Sequence, residues 1–540
     1  MKKISNLLIV MIVIIVAGYF TSCGEDFLTA ESTNSKPYGT DSITEQSING
    51  NLASAYHILL RDNYANGYNS IVFTSDIRSD DVFKGGEKIG DQRQFYNVSL
   101  FTCDPTQNIY GFWELFYRGV ARCNETIANA DKFIGAGTGD INLVKQYKAE
   151  ALFLRAYFMH WMWLNWGNVP YPKALLTQET KFIAVQYTAD DVYQRLLDDI
   201  KDCEDLGVLE LKSKEIARVN LAAVYMLKAA IVMYQNDNSK YNEIAENMAT
   251  IINSGIYDLM DDFDKMWEQD GEFCKENIFE TNAASAGGTD WGTSASNPWG
   301  YGTNLPKYIS PRDFKDPDGV FLNGWGFCPV RPYLYKLIGD PKESDGKDPF
   351  FEAADVRRLA SINYWPLETY KPGGQDTRGY FLRKYAARDG YSVAGTADLN
   401  FCNNLRIYRF AETLLNYAEL VGVLSASASG SLSAQACLDK VRTRAGGLAS
   451  IPVNAANIEL ERHREFIGEG KRYWDLVRWG KAEQTLTESF IQPSADGSGA
   501  AATFSFSRTW SPAKSKYLPI PDEEVKARLG TSYEIKQNPY

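Results

Sequence analysis

Glu461-Arg462-His463-Arg464-Glu465-Phe466-Ile467-Gly468-Glu469-Gly470-Lys471-Arg472-Tyr473-Trp474-Asp475-Leu476-Val477-Arg478-Trp479-Gly480-Lys481 is the stretch on which the fold reading turns. Charge is dense up to Glu465, two glycines interrupt at 468 and 470, and charges then alternate with bulky rings. The pattern predicts a helix broken by Gly468 and Gly470, then a short helix that buries Tyr473, Trp474, Val477 and Trp479. Asp475 and Arg478 are spaced to pair on one helical face. Charges set among tryptophans have to be satisfied locally once buried, so these acids read as structural ion pairs rather than catalytic groups.

Helical spacing recurs outward from this stretch. Leu143, Tyr147, Leu152, Leu154, Phe158, Trp161 and Leu164 mark a long helix between Ile141 and Asn165, ended by Gly167-Asn168-Val169-Pro170. Further helices are predicted over 189–206, 220–235, 241–253, 407–423 and 432–445, several in pairs joined by short polar turns. Paired amphipathic helices point to antiparallel hairpins stacked as in tetratricopeptide-like repeats, although no consensus repeat recurs. The predicted fold class is mainly α. Two stretches, 62–110 and 281–400, break the pattern with Gly, Asn, Asp, Ser, Pro and aromatic residues. Ordering such long loops costs conformational entropy, which makes them the places to look for a site. No Ser/Pro-rich hinge divides the chain, so 23–270 and 271–540 read as two parts of one compact unit.

Among 540 residues, 44% are apolar and 23% charged, which excludes wholesale disorder and a polytopic membrane protein. A net charge of −12 with no basic stripe excludes nucleic acid as partner. The aromatic content, 13%, suits either a thick core or a sugar-stacking surface. Histidine occurs only at 57, 160 and 463, in unrelated contexts, and GxSxG, HExxH, Walker and GxGxxG motifs are missing. Asp313, Asp316 and Asp318-Gly319 fail as a calcium loop, because Phe314 and Trp325 fall where acids are needed. Asp76, Asp80 and Asp81 are the one group that a glycoside hydrolase reading has to rely on, and hydrogen bonding is the better role for them. The expectation is a protein that is not an enzyme and carries no cofactor or metal.

Lys2 and Lys3 precede an unbroken apolar run from Leu7 to Ala17, too short to span a bilayer comfortably. Residues 1–22 therefore read as a signal peptide. Phe20-Thr21-Ser22-Cys23 resembles a lipobox, at which Cys23 is acylated, and Gly24-Glu25-Asp26 resembles the acidic tags of surface-exposed outer-membrane lipoproteins. The other seven cysteines, at 103, 123, 203, 274, 328, 402 and 437, are odd in number and dispersed, which argues against a disulfide scaffold and a zinc site. A single bridge such as Cys103 to Cys123 stays open.

The 461–481 stretch resembles the C-terminal signature of the SusD/RagB family of outer-membrane nutrient-binding lipoproteins. Other features of that family follow in order: Cys23 through Phe27-Leu28, Leu154-Arg155-Ala156 with Trp166-Gly167 and Val169-Pro170, and Tyr408 through Glu419. Val441-Arg442-Thr443-Arg444-Ala445-Gly446, Tyr517-Leu518-Pro519-Ile520-Pro521 and Gln537-Asn538-Pro539-Tyr540 complete the series. His463 and Phe466 depart from the commoner arginine, valine or leucine. The resemblance implies a SusD-like helical fold that supports an irregular ligand-binding region. It also implies a SusC-like TonB-dependent outer-membrane barrel as partner, capped by the lipoprotein as a lid, and an oligosaccharide or, in some members, a peptide as ligand.

Trp291, Trp299, Tyr301 and Trp325 lie among Gly287-Gly288, Gly292, Gly300, Gly302, Gly324 and Gly326, with few aliphatics to bury them. Flat rings on such loops suit the C–H faces of pyranoses, and Arg78, Asp80 and Asp81 of the first irregular stretch are the polar candidates. The leading reading is a cell-surface glycan-binding lid. A peptide-binding lid, a secreted glycosidase and a helical scaffold for other lipoproteins are the alternatives.

Overall fold

Helices Tyr110–Ala136 and Ile141–Trp166 run antiparallel, and the chain encodes the turn between them. Gly137 adopts φ +69°, and the Asp140 carboxylate accepts from the Leu143 N–H at 3.0 Å as N-cap. Gly119 lets the two helices close on each other, since a Cβ there would stand 2.6 Å from the Phe158 ring. These observations come from a computed structural model that describes residues 43–60, 70–176, 183–285, 300–335, 350–393, 395–494 and 502–540. Ile141–Trp166 is buried along most of its length because Glu45–Tyr56, Tyr110–Ala136 and Ala189–Asp205 all pack against it.

From there each helix packs on its successor: Ala189–Asp205, Leu221–Gln235, Tyr241–Asn253, then Phe410–Gly422 and Ala434–Arg444. Among the described residues the strands form only two-stranded sheets, so the fold is mainly α, as the helical spacing predicts. The stack passes from Tyr241–Asn253 straight to Phe410–Gly422, and what lies between is an excursion from it. Strands Asn277–Glu280 and Arg406–Arg409 pair antiparallel at its base, with Asn277 opposite Arg409 and Glu280 opposite Arg406. The irregular 281–400 stretch thus leaves and rejoins the stack at one ladder.

Several elements differ from the sequence reading, among them helices Glu45–Tyr56, Ile71–Asp76 and Arg93–Leu100, the last two inside the stretch read as irregular. The predicted 407–423 helix begins only at Phe410, because Arg406–Arg409 is drawn into the ladder and Arg409 is extended at φ −125°, ψ 152°. Tyr110–Ala136 was not anticipated: Gly111, Gly119 and Gly135 lower its helix propensity, and packing on Ile141–Trp166 overrides that.

Arg155 joins the first elements of the stack. It donates to Asp199 at 2.8 and 2.7 Å and to Asn124 Oδ1 at 2.8 Å, and the Tyr171 hydroxyl donates to Asp199 at 2.8 Å. The C-terminal segment docks beside it, with Trp166 Nε1 donating to Pro519 O at 3.2 Å and Asn538 Nδ2 to Trp166 O at 2.8 Å. Cys103 and Cys123 carry free thiols, as do the other five described cysteines. No helix among the described residues is long and apolar enough to cross a membrane. Residues 1–22 and Cys23 lie outside the described residues.

The signature stretch forms helices Ala455–Phe466 and Arg472–Arg478, and its charges build a buried ionic lattice. Glu465 accepts from Arg357 at 3.1 Å, Arg409 at 3.1 Å and Arg444 at 2.5 Å. Glu469 accepts from Lys384 at 2.6 Å and Arg409 at 2.8 Å. Burial pushes the Glu465 carboxyl up, yet Arg444, Arg409 and Arg357 outweigh it and hold it far below the usual carboxylate range. Asp475, buried between Arg462 and Arg478, is held at about 2 by those two cations. The structural role expected of these acids is the one the geometry displays.

Candidate functional site

Trp325 lies half-buried on the 281–400 excursion, and its backbone is fixed on both sides. Its N–H donates to Lys307 O at 2.6 Å, the Gly326 N–H to Ser310 O at 2.8 Å, and the Phe327 N–H to Tyr308 O at 2.8 Å. This lays 325–327 along the short helix Leu305–Ile309. Gly324 is required by that approach, because a Cβ there would sit 2.3 Å from Ser310 O. The Trp325 ring meets the buried Tyr308 edge to face at 5.1 Å, and Tyr308 stacks on Phe73 at 4.8 Å. An aromatic column therefore stiffens the ring from beneath.

Tyr301 precedes the same short helix and is 41% exposed, one of the most exposed aromatic rings described. It meets His57 edge to face at 5.7 Å, and His57 Nε2 donates to Gly300 O at 3.1 Å. Glu45–Tyr56 thus ends against the loop that presents Tyr301. Polar groups flank this face. Lys307 Nζ donates to Asn323 O at 2.8 Å and pairs with Asp398 at 2.9 Å, and Arg312 lies 3.5 Å from Glu87. Beneath it the Lys84 ammonium sits 5.3 Å from the Phe327 ring, and burial pulls it down to about 8. The surface offers rings braced from below and hydrogen-bonding groups beside them, with no arrangement of acid, base and nucleophile among the described residues. Trp291 and Trp299 lie outside the described residues.

Arg78, Asp80 and Asp81, the polar candidates of the first irregular stretch, are bonded to the protein itself: Arg78 and Asp81 are buried and Asp80 is partly buried. Arg78 is 2% exposed, donates to Thr74 O and Asn165 Oδ1 at 2.9 and 2.7 Å, and stands 4.9 Å from both the Tyr473 and Trp474 rings. Asp80 receives both arms of Arg472, at 2.8 and 3.0 Å, and Asp81 is closed against His463. Their first irregular stretch has folded under the signature helices, which sequence spacing alone does not reveal. Asp76 is equally withdrawn: its Oδ1 accepts from the Gly470 N–H at 2.9 Å, and burial with the Asp81 charge pushes it well above the carboxylate range. Asp80, Asp81 and His463 bring ligand-type atoms within 4.8 Å of one another, but the bidentate Arg472 makes them a node of the ionic lattice. Asp316, in the rejected calcium loop, accepts from the Val320 and Phe321 N–H groups at 2.8 Å and serves its own turn.

Tyr308, Lys307 and Asp398 were missed as supports of the site. Nothing in their local sequence distinguishes them, because their role comes from chain segments that meet only in the fold.

Comparison with known proteins agrees with this architecture. The signature described as "SusD family" matches residues 275–540, and that described as "Starch-binding associating with outer membrane" matches 91–215. Surface glycan-binding protein A from Bacteroides fluxus is 44% identical, with 92% of this chain and 99% of that one covered and a TM-score of 0.80. Surface glycan-binding protein A from Bacteroides thetaiotaomicron, in complex with laminarihexaose, is 36% identical over the same shares, with a TM-score of 0.77. A laminarin-binding SusD-like protein is 27% identical over the same shares, with a TM-score of 0.74. Signature helices, helical stack and whole-chain likeness converge, and the chain belongs to the SusD family.

Proposed function

We propose that the protein is a surface lipoprotein that captures a laminarin-type oligosaccharide and hands it to a SusC-like TonB-dependent barrel, over which it acts as a lid. The observation that carries the ligand is whole-length likeness to the chain complexed with laminarihexaose. The Trp325 and Tyr301 surface supports it, since braced rings suit sugar faces and the neighbouring polar groups suit hydroxyls. Trp291 and Trp299 are the further aromatic candidates for contact with the sugar. Residues 1–22 act as the signal peptide, and lipid on Cys23 holds the chain at the outer membrane. The protein binds and does not hydrolyse.

Each stacked ring removes apolar area worth roughly 1 to 2 kcal/mol for one tryptophan face. Stacking alone does not cover the cost of association, so hydrogen bonds to the sugar hydroxyls have to add to it, and the expected Kd is weak, about micromolar to millimolar. Calorimetric titration of the chain with laminarihexaose, maltohexaose and a mixed peptide digest tests this. Saturable binding of laminarihexaose in that range, with no reducing sugar released, is the expected result. Binding of the peptides alone overturns the ligand, and release of reducing sugar overturns the non-enzymatic role.

A further inference from the structure

Lys307 is buried beneath the Trp325 segment and binds it in more than one way. Its carbonyl accepts from the Trp325 N–H at 2.6 Å. Its ammonium donates to Asn323 O at 2.8 Å and to Asn323 Oδ1, and it pairs with Asp398 at 2.9 Å. Asp398 stands on the short 3₁₀ helix Ala397–Leu399, so one buried cation ties the Trp325 segment to the far end of the excursion.

This cation decides which way the Asn323 amide faces. An ammonium only donates, so the atom turned toward it has to be the amide oxygen. The amide is planar, and its NH2 group therefore faces away from Lys307. Asn323 is exposed, and its amide N–H groups donate to no protein atom among the described residues. The Asp398 side chain is 34% exposed, so its carboxylate meets solvent as well as Lys307. Next to Trp325 in the chain and in the fold there are thus a neutral donor and a charged acceptor, both set by one residue and both open to solvent. A sugar hydroxyl donates and accepts, and a pyranose carries several around the C–H face on which a ring stacks. Groups fixed before the ligand arrives lose little rotamer freedom when it binds.

We propose that Asn323 and Asp398 read the hydroxyls of the sugar that stacks on Trp325, with Asn323 Nδ2 donating to one hydroxyl and Asp398 accepting from another, and that Lys307 is the positioning residue for both. The inference rests on the glycan-capture reading and adds to it a ligand class: a glycan whose hydroxyls are free along the edge that faces Asn323 and Asp398. Calorimetric titration with laminarihexaose, with thermal melts on the same samples, tests it. Asn323→Asp keeps an oxygen for Lys307 but removes the donor, and should weaken binding about threefold to tenfold with Tm nearly unchanged. Asp398→Ala removes a charged acceptor and should weaken it about tenfold or more. In Lys307→Met the amide is free to turn. Adding Asn323→Ala to that variant should then change affinity by less than Asn323→Ala does alone, a coupling that a purely structural lysine would not produce. Strictly additive effects overturn the positioning role. Native affinity in both Asn323→Asp and Asp398→Ala, with Trp325→Ala weakened, overturns the hydroxyl readers and leaves the capture reading standing. No binding of laminarihexaose by the native chain overturns both. Asn323 is exposed, so Asn323→Asp decides the matter even if Lys307→Met fails to fold.

Discussion

Trp325 owes its position to its neighbours rather than to its own ring. Backbone bonds to Lys307, Ser310 and Tyr308 hold the segment, and the Tyr308 ring supports Trp325 at 5.1 Å. Removing the half-exposed ring leaves those bonds in place. Trp325→Ala is therefore expected to weaken laminarihexaose binding several-fold or more with Tm nearly unchanged, and Tyr301→Ala to do so by less. Calorimetry and thermal melts on the same samples check this. A loss of several kcal/mol in stability with affinity intact would make Trp325 a core residue. Glu280 sets a pH dependence at the same scale. It is 2% exposed, and burial raises its carboxyl to about 7 despite Arg406. Between about 4.5 and 7 the folded chain holds a proton that the unfolded chain has released, so this group's contribution to stability falls as pH rises through that window. Urea unfolding at several pH values should show Glu280→Gln with a flatter profile, the difference from the native chain growing by up to about 3 kcal/mol from about pH 4.5 to 7.

Among elements, Tyr110–Ala136 and Ile141–Trp166 meet at a close approach that Gly119 permits. A Cβ at Gly119 would stand 2.6 Å from Phe158, so any larger side chain must displace that ring or part the helices. Gly119→Leu is expected to cost about 1–3 kcal/mol by overpacking, read as a lowered urea midpoint at constant m. A Cβ at Gly135 would meet nothing within 4 Å, so Gly135→Ala serves as the control and should not destabilise. The ladder between Asn277–Glu280 and Arg406–Arg409 acts at the same scale: one short pairing sets where the binding excursion leaves and rejoins the stack.

For the whole molecule, the proposed anchor and partner predict where the protein is found. Cys23→Ala should move it from the membrane to the soluble fraction. An unchanged membrane fraction together with an intact signal peptide by mass spectrometry would overturn acylation. Mild detergent extraction and pull-down should recover a far larger outer-membrane barrel in near-equal amount, and recovery of the chain alone under several detergents would count against the lid.

Much of this architecture was legible in the chain. Helices over 141–165, 189–206, 220–235, 241–253 and 432–445 announced themselves because burial on a regular helix imposes its period on the sequence. The signature charges announced their ion pairs because buried charge among rings has to be matched. Only the tertiary structure decided the rest. Arg406–Arg409 became a strand because Asn277–Glu280 offered it a ladder, and Arg78, Asp80 and Asp81 bonded to the protein itself because the signature helices closed over them. Periodicity reports one residue's relation to its near neighbours, whereas pairing, burial of a loop and the matching of a distant charge depend on segments hundreds of residues apart. For the same reason Trp325 could be singled out by its glycine-rich setting, but Tyr308 beneath it and the Lys307 bridge to Asp398 could not.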